Sequence, residues 1–246
     1  MPKFSVALFD LGATLIYFDG DWEAALALGI RDMRDLLASL GYPVNDTFLT
    51  HYRETAREYY RWRDDNLAET PAPQVFREIM AKYCCDDLPE AHVKAALASL
   101  YAATQARWKV EDDAQPTLER LRAQGYRIGL VSNAGYDEDV QVLVDRAGLR
   151  PYLEYMVTSA AAGVRKPHPE IFEGALNFFG VRPEQAVMIG DFLRADVLGA
   201  NRLGMGSVWT PRRIDLNTVQ PYREKIQPDR TIAVLGELPD LLSTWE

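Results

Sequence analysis

Six short apolar runs, separated by stretches of helical periodicity, constrain this chain more than any other feature. They cover residues 4–9, 127–131, 155–158, 186–189, 207–210 and, more weakly, 231–234. The stronger ones lack the polar alternation of a half-exposed strand, which fits strands buried on both faces. Between them lie helical patterns over 116–124, 137–147, 168–179 and 196–203, followed by Gly125, Gly180 and Gly204 as helix stops. Buried strands alternating with helices predict an α/β fold, a Rossmann-like parallel sheet with helices on both sides.

Residues 17–108 break that rhythm. No buried strand is evident there. Apolar residues recur at three-to-four spacing in four groups, beginning with Trp22, Leu26, Ile30, Met33 and Leu37 and ending with Val93, Leu97, Leu100 and Tyr101. Four such helices make a small bundle. The predicted organisation is an α/β core of residues 1–16 and 109–246, with residues 17–108 as an inserted α-helical cap domain. A bundle inserted after the first strand stands over the carboxyl ends of the sheet, where open parallel sheets bind ligands.

With a formal net charge of −9, the surface repels a phosphate backbone, so nucleic acid is not an expected partner. No stretch reaches the length of a membrane span, and the first residues lack the pattern of a signal peptide. The two cysteines, Cys84 and Cys85, are adjacent, a poor geometry for a structural disulfide. A cytoplasmic protein is expected.

Four short segments follow predicted strands: Asp10 with Gly12 and Thr14, Ser132 with Asn133, Lys166 before Pro167, and Gly190-Asp191 with Asp196. A parallel sheet sets those strand ends side by side. Three carboxylates, a hydroxyl and an ammonium then converge. The carboxylates repel one another unless a cation neutralises them, and oxygen donors suit a hard ion such as Mg²⁺. Lys166 and Ser132 add a positive charge and a donor for a phosphate oxygen. A carboxylate beside a charge-neutralised phosphoryl group can attack it.

These segments, with Val164 to Phe172 and Ile189 to Ala200, resemble the haloacid dehalogenase-like hydrolases, whose phosphatases carry Asp-x-Asp-x-Thr, then Ser or Thr, Lys and Gly-Asp in this order. The resemblance implies Asp10 as nucleophile and metal ligand, the Gly12 carbonyl and Asp191 as further ligands, and Asp196 assisting directly or through water. It also implies that Ser132, Asn133 and Lys166 hold the phosphoryl group, and that Thr14 supports the loop. The expected cofactor is Mg²⁺ and the expected substrate a small phosphorylated metabolite.

Gly12 departs from the pattern, because phosphatases of this family place there the Asp that protonates the leaving group. Losing a positioned acid–base costs about 10²–10⁴-fold. Three explanations stay open: a substrate with a good leaving group, a proton supplied by the cap or the substrate, or a site that binds phosphate without turnover. Metal-independent displacement of halide by Asp10 is a further alternative, opposed by the acids at 191 and 196.

Other polar residues have two readings each. The run His51, Arg53, Arg57, Tyr60, Arg61 and Arg63 either faces the site and reads an anion or forms a solvated helix face. Asp19 and Asp21 either lean over the site or cap a loop or helix. His92 and His168 read as surface histidines.

Overall fold

A computed structural model of the chain describes residues 3–83, 85, 87–216 and 222–245. Six parallel strands form one sheet: β1 Val6–Phe9, β4 Arg127–Ser132, β5 Tyr155–Thr158, β6 Ala186–Gly190, β7 Gly206–Trp209 and β8 Arg230–Thr231. Their spatial order is β5-β4-β1-β6-β7-β8. β1 shows why its run is unbroken. Ala7 and Phe9 pack into one hydrophobic cluster, with α5 (Ala114–Ala123), α6 (Asp137–Arg146) and the C-terminal helix Leu238–Ser243. Val6 and Leu8 pack into another, with α8 (Pro169–Phe179) and Ala200 of α9 (Leu198–Leu203). Both faces of the strand are dry, so every position must be apolar.

The chain passes from β1 to β4 and β5 on one side, then returns to β6 on the other. The carboxyl end of β1 is therefore a topological switch point, the crevice where such sheets hold ligands.

Four helices follow the first strand, as the periodicity predicts: α1 Trp22–Ser39, α2 Phe48–Asn66, α3 Ala72–Ala81 and α4 Glu90–Gln105. They enclose a hydrophobic cluster of their own, with Ile30, Met33, Phe48, Phe76, Ile79 and Leu97 at its centre. The sequence reading missed what joins them to the sheet. β2 Ile16–Phe18 and β3 Trp108–Val110 form an antiparallel ribbon, pairing Ile16 with Val110 and Phe18 with Trp108. Its strands are three residues long, too short to stand out as period-two patterns.

The last strand differs from expectation too. Only Arg230 and Thr231 pair, while Val234 is exposed. The loop before it packs Ile214, Tyr222 and Ile226 against Leu193, Val197 and Trp209. Cys84 lies outside the described residues. No helix among the described residues is long and apolar enough to cross a membrane.

Candidate active site

Position 10 begins a tight loop at the end of β1. Leu15 and Ile16 both donate backbone hydrogen bonds to the Leu11 carbonyl, at 2.9 and 3.0 Å. Closing so short a loop puts Ala13 at φ 56°, left-handed for a residue with a Cβ. The Thr14 hydroxyl is buried without a hydrogen-bond partner among the described residues. The backbone holds this loop, a correction to the support expected from Thr14.

The loop delivers Asp10 to a cluster with Asp191 and Asp196, at the end of β6 and in the turn that follows. One carboxylate oxygen from each lies within 4.8 Å of the other two. Gly190 permits the approach, because a Cβ there would stand 2.3 Å from Asp196 Cγ. Asp196 was expected at a helix start; it sits instead within a π-type turn, Leu193–Val197, ahead of α9. Its Oδ2 accepts from the Phe192 backbone N–H at 2.9 Å, and its Oδ1 pairs with Lys166 Nζ at 2.7 Å. Both oxygens are engaged. The Asp191 carboxylate accepts no hydrogen bond from another described residue, while its backbone carbonyl accepts from Trp209 Nε1 at 2.7 Å. Asp191 is therefore the acid left open toward the cavity.

Lys166 is the buried cation of the cluster. Its Nζ donates to Asp10 Oδ1 and to the Val131 carbonyl, both at 2.6 Å. Burial works against its charge, but Asp10 and Asp196 hold its pKa above the ordinary lysine value. One ammonium does not offset three acids. Burial, reinforced by Asp196 against the pull of Lys166, pushes Asp10 up to about 6. Burial and the neighbouring Asp10 and Asp196 raise Asp191 well above the ordinary range. A divalent cation among these acids would favour their charged forms. Oxygen-only donors fit Mg²⁺.

Ser132 lines the same cavity, and its hydroxyl makes no hydrogen bond to the described residues. Asn133 has another task. Its Nδ2 donates to the Lys166 carbonyl at 3.0 Å and its Oδ1 accepts from the Lys166 N–H at 2.8 Å. The amide expected to touch substrate also ties down the loop that carries Lys166, and Asn133 still lines the cavity.

What stands beside Gly12 was not legible in the sequence. A Cβ at position 12 would lie 3.4 Å from Trp108 Cη2. Trp108 packs edge-on against Phe18, with centroids 5.4 Å apart, and Trp22 joins them at 6.3 Å from Trp108. An aromatic wall occupies the side where a position-12 side chain would reach.

The cavity, about 420 Å³, reaches from Asp10, Lys166 and Asp191 to the helices, where Tyr60, Arg63 and Tyr101 line it. Of the basic, aromatic run on α2, only Tyr60 and Arg63 face it. His51 bonds Tyr83 at 2.8 Å, and Arg57 and Arg61 are exposed. Asp19 pairs with Lys109 at 2.5 Å, and Asp21 caps α1 by accepting from the Ala24 N–H at 3.1 Å. His92 bonds Tyr42 at 2.6 Å, and His168 caps α8.

A seam joins the helices to the sheet beside this cavity. The Glu69 N–H donates to the Gly163 carbonyl and the Arg165 N–H to the Leu67 carbonyl, each at 2.9 Å. The buried Glu69 carboxylate accepts from Arg165, from Ser159 Oγ at 2.7 Å and from Tyr59 OH at 2.5 Å. Glu69 escaped the sequence reading because it lies in no recognisable spacing, and Arg165, although inside the stretch Val164 to Phe172, was given no role there.

The chain belongs to the haloacid dehalogenase-like hydrolases, whose family profile matches residues 4–204. It is 29% identical over 247 residues to a glyceraldehyde 3-phosphate phosphatase of Pyrococcus furiosus, covering 100% of this chain and 95% of that one. It is 30% identical to a ribulose-1,5-bisphosphate 5-phosphatase of Halopiger xanaduensis, covering 97% and 99%. Among solved structures, a 2-haloacid dehalogenase from Pseudomonas syringae pv. Tomato superposes with a TM-score of 0.71 at 23% identity, over 99% of this chain and 100% of that one, a likeness of fold.

Proposed function

We propose that the protein is a Mg²⁺-dependent phosphatase of small phosphorylated metabolites, acting through an aspartyl-phosphate at Asp10. The observation that carries this reading is the cluster itself: Asp10, Asp191 and Asp196 within 4.8 Å, with Lys166 2.6 Å from Asp10. Asp10, the Gly12 carbonyl and Asp191 are the residues that would hold the ion. Asp196, with both oxygens engaged, orients Lys166 and acts on the ion through water. A bound Mg²⁺ supplies charge neutralisation to the phosphate and to the acids around it.

Lys166 fixes the Asp10 carboxylate and offers its charge to a phosphate oxygen, while Ser132 donates its hydroxyl to another. Asp10 attacks phosphorus as the bond to the leaving oxygen breaks. Water then attacks the aspartyl-phosphate, and the bonding pair returns to Asp10. Asn133 keeps the Lys166 loop in place. Residues 17–108 serve as the cap that excludes bulk water during transfer. A cytoplasmic setting suits such a substrate.

Gly12 gives this sequence no acid beside the leaving oxygen, and Trp108 lines that side. The reading therefore favours leaving groups that depart without protonation, such as aryl or acyl phosphates. Phosphate release from p-nitrophenyl phosphate and acetyl phosphate, with Mg²⁺ or EDTA, tests it. Release that needs Mg²⁺ and vanishes in Asp10→Asn is expected. No release from either compound favours a phosphate-binding module. Chloride release from a 2-chloro acid in EDTA favours dehalogenation.

A further inference from the structure

Carboxylates beside the cavity are held in very different ways. Asp139, a cavity-wall residue in the first turn of α6, accepts from Gln105 Nε2 at 2.8 Å, its one hydrogen bond with the described residues. Glu69, between α2 and α3, gathers three donors on a fully buried side chain. Arg165 and Ser159 share its Oε2, and Tyr59 takes its Oε1. Tyr59 comes from the helices, whereas Arg165 and Ser159 come from the sheet side of the seam.

Those two sheet-side donors lead directly to groups that face the cavity. Arg165 immediately precedes Lys166 in the chain. Ser159 Oγ accepts from the Ala134 N–H at 2.9 Å, and Ala134 follows Ser132 and Asn133. Backbone bonds run beside both links. The Glu69 N–H donates to the Gly163 carbonyl at 2.9 Å, and the Ala72 N–H to the Gly135 carbonyl at 2.7 Å. Asn133 then ties one loop to the other through the Lys166 backbone. A single carboxylate from the helical insertion therefore fixes loops 132–135 and 163–166, which are 30 residues apart in the sequence. Apolar packing could hold helices against a sheet. A buried charge with directional donors also sets the angles of the loops that supply them.

Resting on the phosphatase reading, we propose that Glu69 is a positioning residue for phosphoryl transfer. It holds Lys166 through Arg165, and Ser132 through Ser159 and Ala134, at the spacing that grips a phosphate. The helical insertion is thus part of the phosphate site as well as its cover.

The test is a double-mutant cycle of Glu69→Gln with Ser132→Ala. It is read as kcat/KM for p-nitrophenyl phosphate and as the Kd of inorganic phosphate, both in Mg²⁺. The amide keeps the shape and one acceptor, and removes the charge that Arg165 and Ser159 share. Glu69→Gln should weaken both readouts by on the order of 10- to 100-fold, the cost of losing a partner that orients a binding group. The double variant should lose less than the product of the two single losses, because both changes act on one donor. Ser159→Ala cuts the path at its middle and should show the same dependence on Ser132. It decides the proposal if Glu69→Gln does not fold. Leu37→Ala, inside the helical cluster, should leave both readouts unchanged per folded molecule. Losses that multiply, no loss in Glu69→Gln, or an equal loss in Leu37→Ala overturns the proposal. Wild-type protein that binds phosphate without hydrolysing p-nitrophenyl phosphate ends the phosphatase reading, and the cycle in Kd then decides. Wild-type protein that does neither overturns both.

Discussion

At position 12 a missing carboxylate and an aromatic ring are one structural fact. Trp108 Cη2 stands 3.4 Å from where a Cβ would sit, so a β-carbon fits in ordinary contact with the ring and a longer side chain must share that side with it. Gly12→Asp alone should therefore gain little. Combined with Trp108→Ala, it should raise turnover of alkyl phosphates relative to p-nitrophenyl phosphate by about 10²-fold, within the range of a positioned acid. A ratio unchanged in the double variant would place the proton elsewhere. Asp139 permits a second test, with the sign fixed by its pKa, about 6 in the fold against an ordinary 3.8. Below 3.8 the group is protonated folded or unfolded, and costs nothing. As pH rises the unfolded chain ionises first, and above 6 the folded state carries the full penalty, about 1–3 kcal/mol. Asp139→Asn keeps the acceptor for Gln105 and removes the charge. It should be more stable than wild type in urea at pH 8 and no different at pH 3.5. Equal stability at pH 8 would mean that a cation already answers Asp139.

Strands and helices follow from patterns that individual side chains impose. β1 was legible because both its faces are buried, and α1 because Ile30, Met33 and Leu37 share one stripe. The ribbon of β2 and β3 was not, because three residues with mixed exposure carry no period. The seam was not legible for a different reason: Glu69 and Arg165 lie 96 residues apart and meet only through the fold. A buried pair is costly to break, since the survivor keeps its charge without a partner. Glu69→Ala should destabilise the protein by about 3–5 kcal/mol in urea unfolding. A loss below 1 kcal/mol would mean that solvent replaces the lost carboxylate and that the seam contributes little.

Over the whole molecule, the sheet turns scattered sequence positions into one site. Strand ends explain why Asp10, Ser132 and Asp191 could be named from order alone; Lys166 lies beyond β5 and the short helix Ser159–Ala162, and the structure sets all four around one cavity. Partner choices within the site were beyond the sequence: Asn133 on the Lys166 backbone, Asp196 on Phe192 and Lys166. They depend on loop angles that no spacing encodes. The same holds for the cavity wall, where Trp108, Arg63 and Asp139 come from three separate elements. The central claim is covalent transfer to Asp10, and the most direct measurement is mass analysis of the Asp10 peptide after acid quench. With Mg²⁺ and p-nitrophenyl phosphate in rapid mixing, one phosphoryl group should appear on Asp10 during turnover, and it should be absent with EDTA. Steady turnover with that peptide unmodified, or turnover persisting in Asp10→Asn, would contradict it.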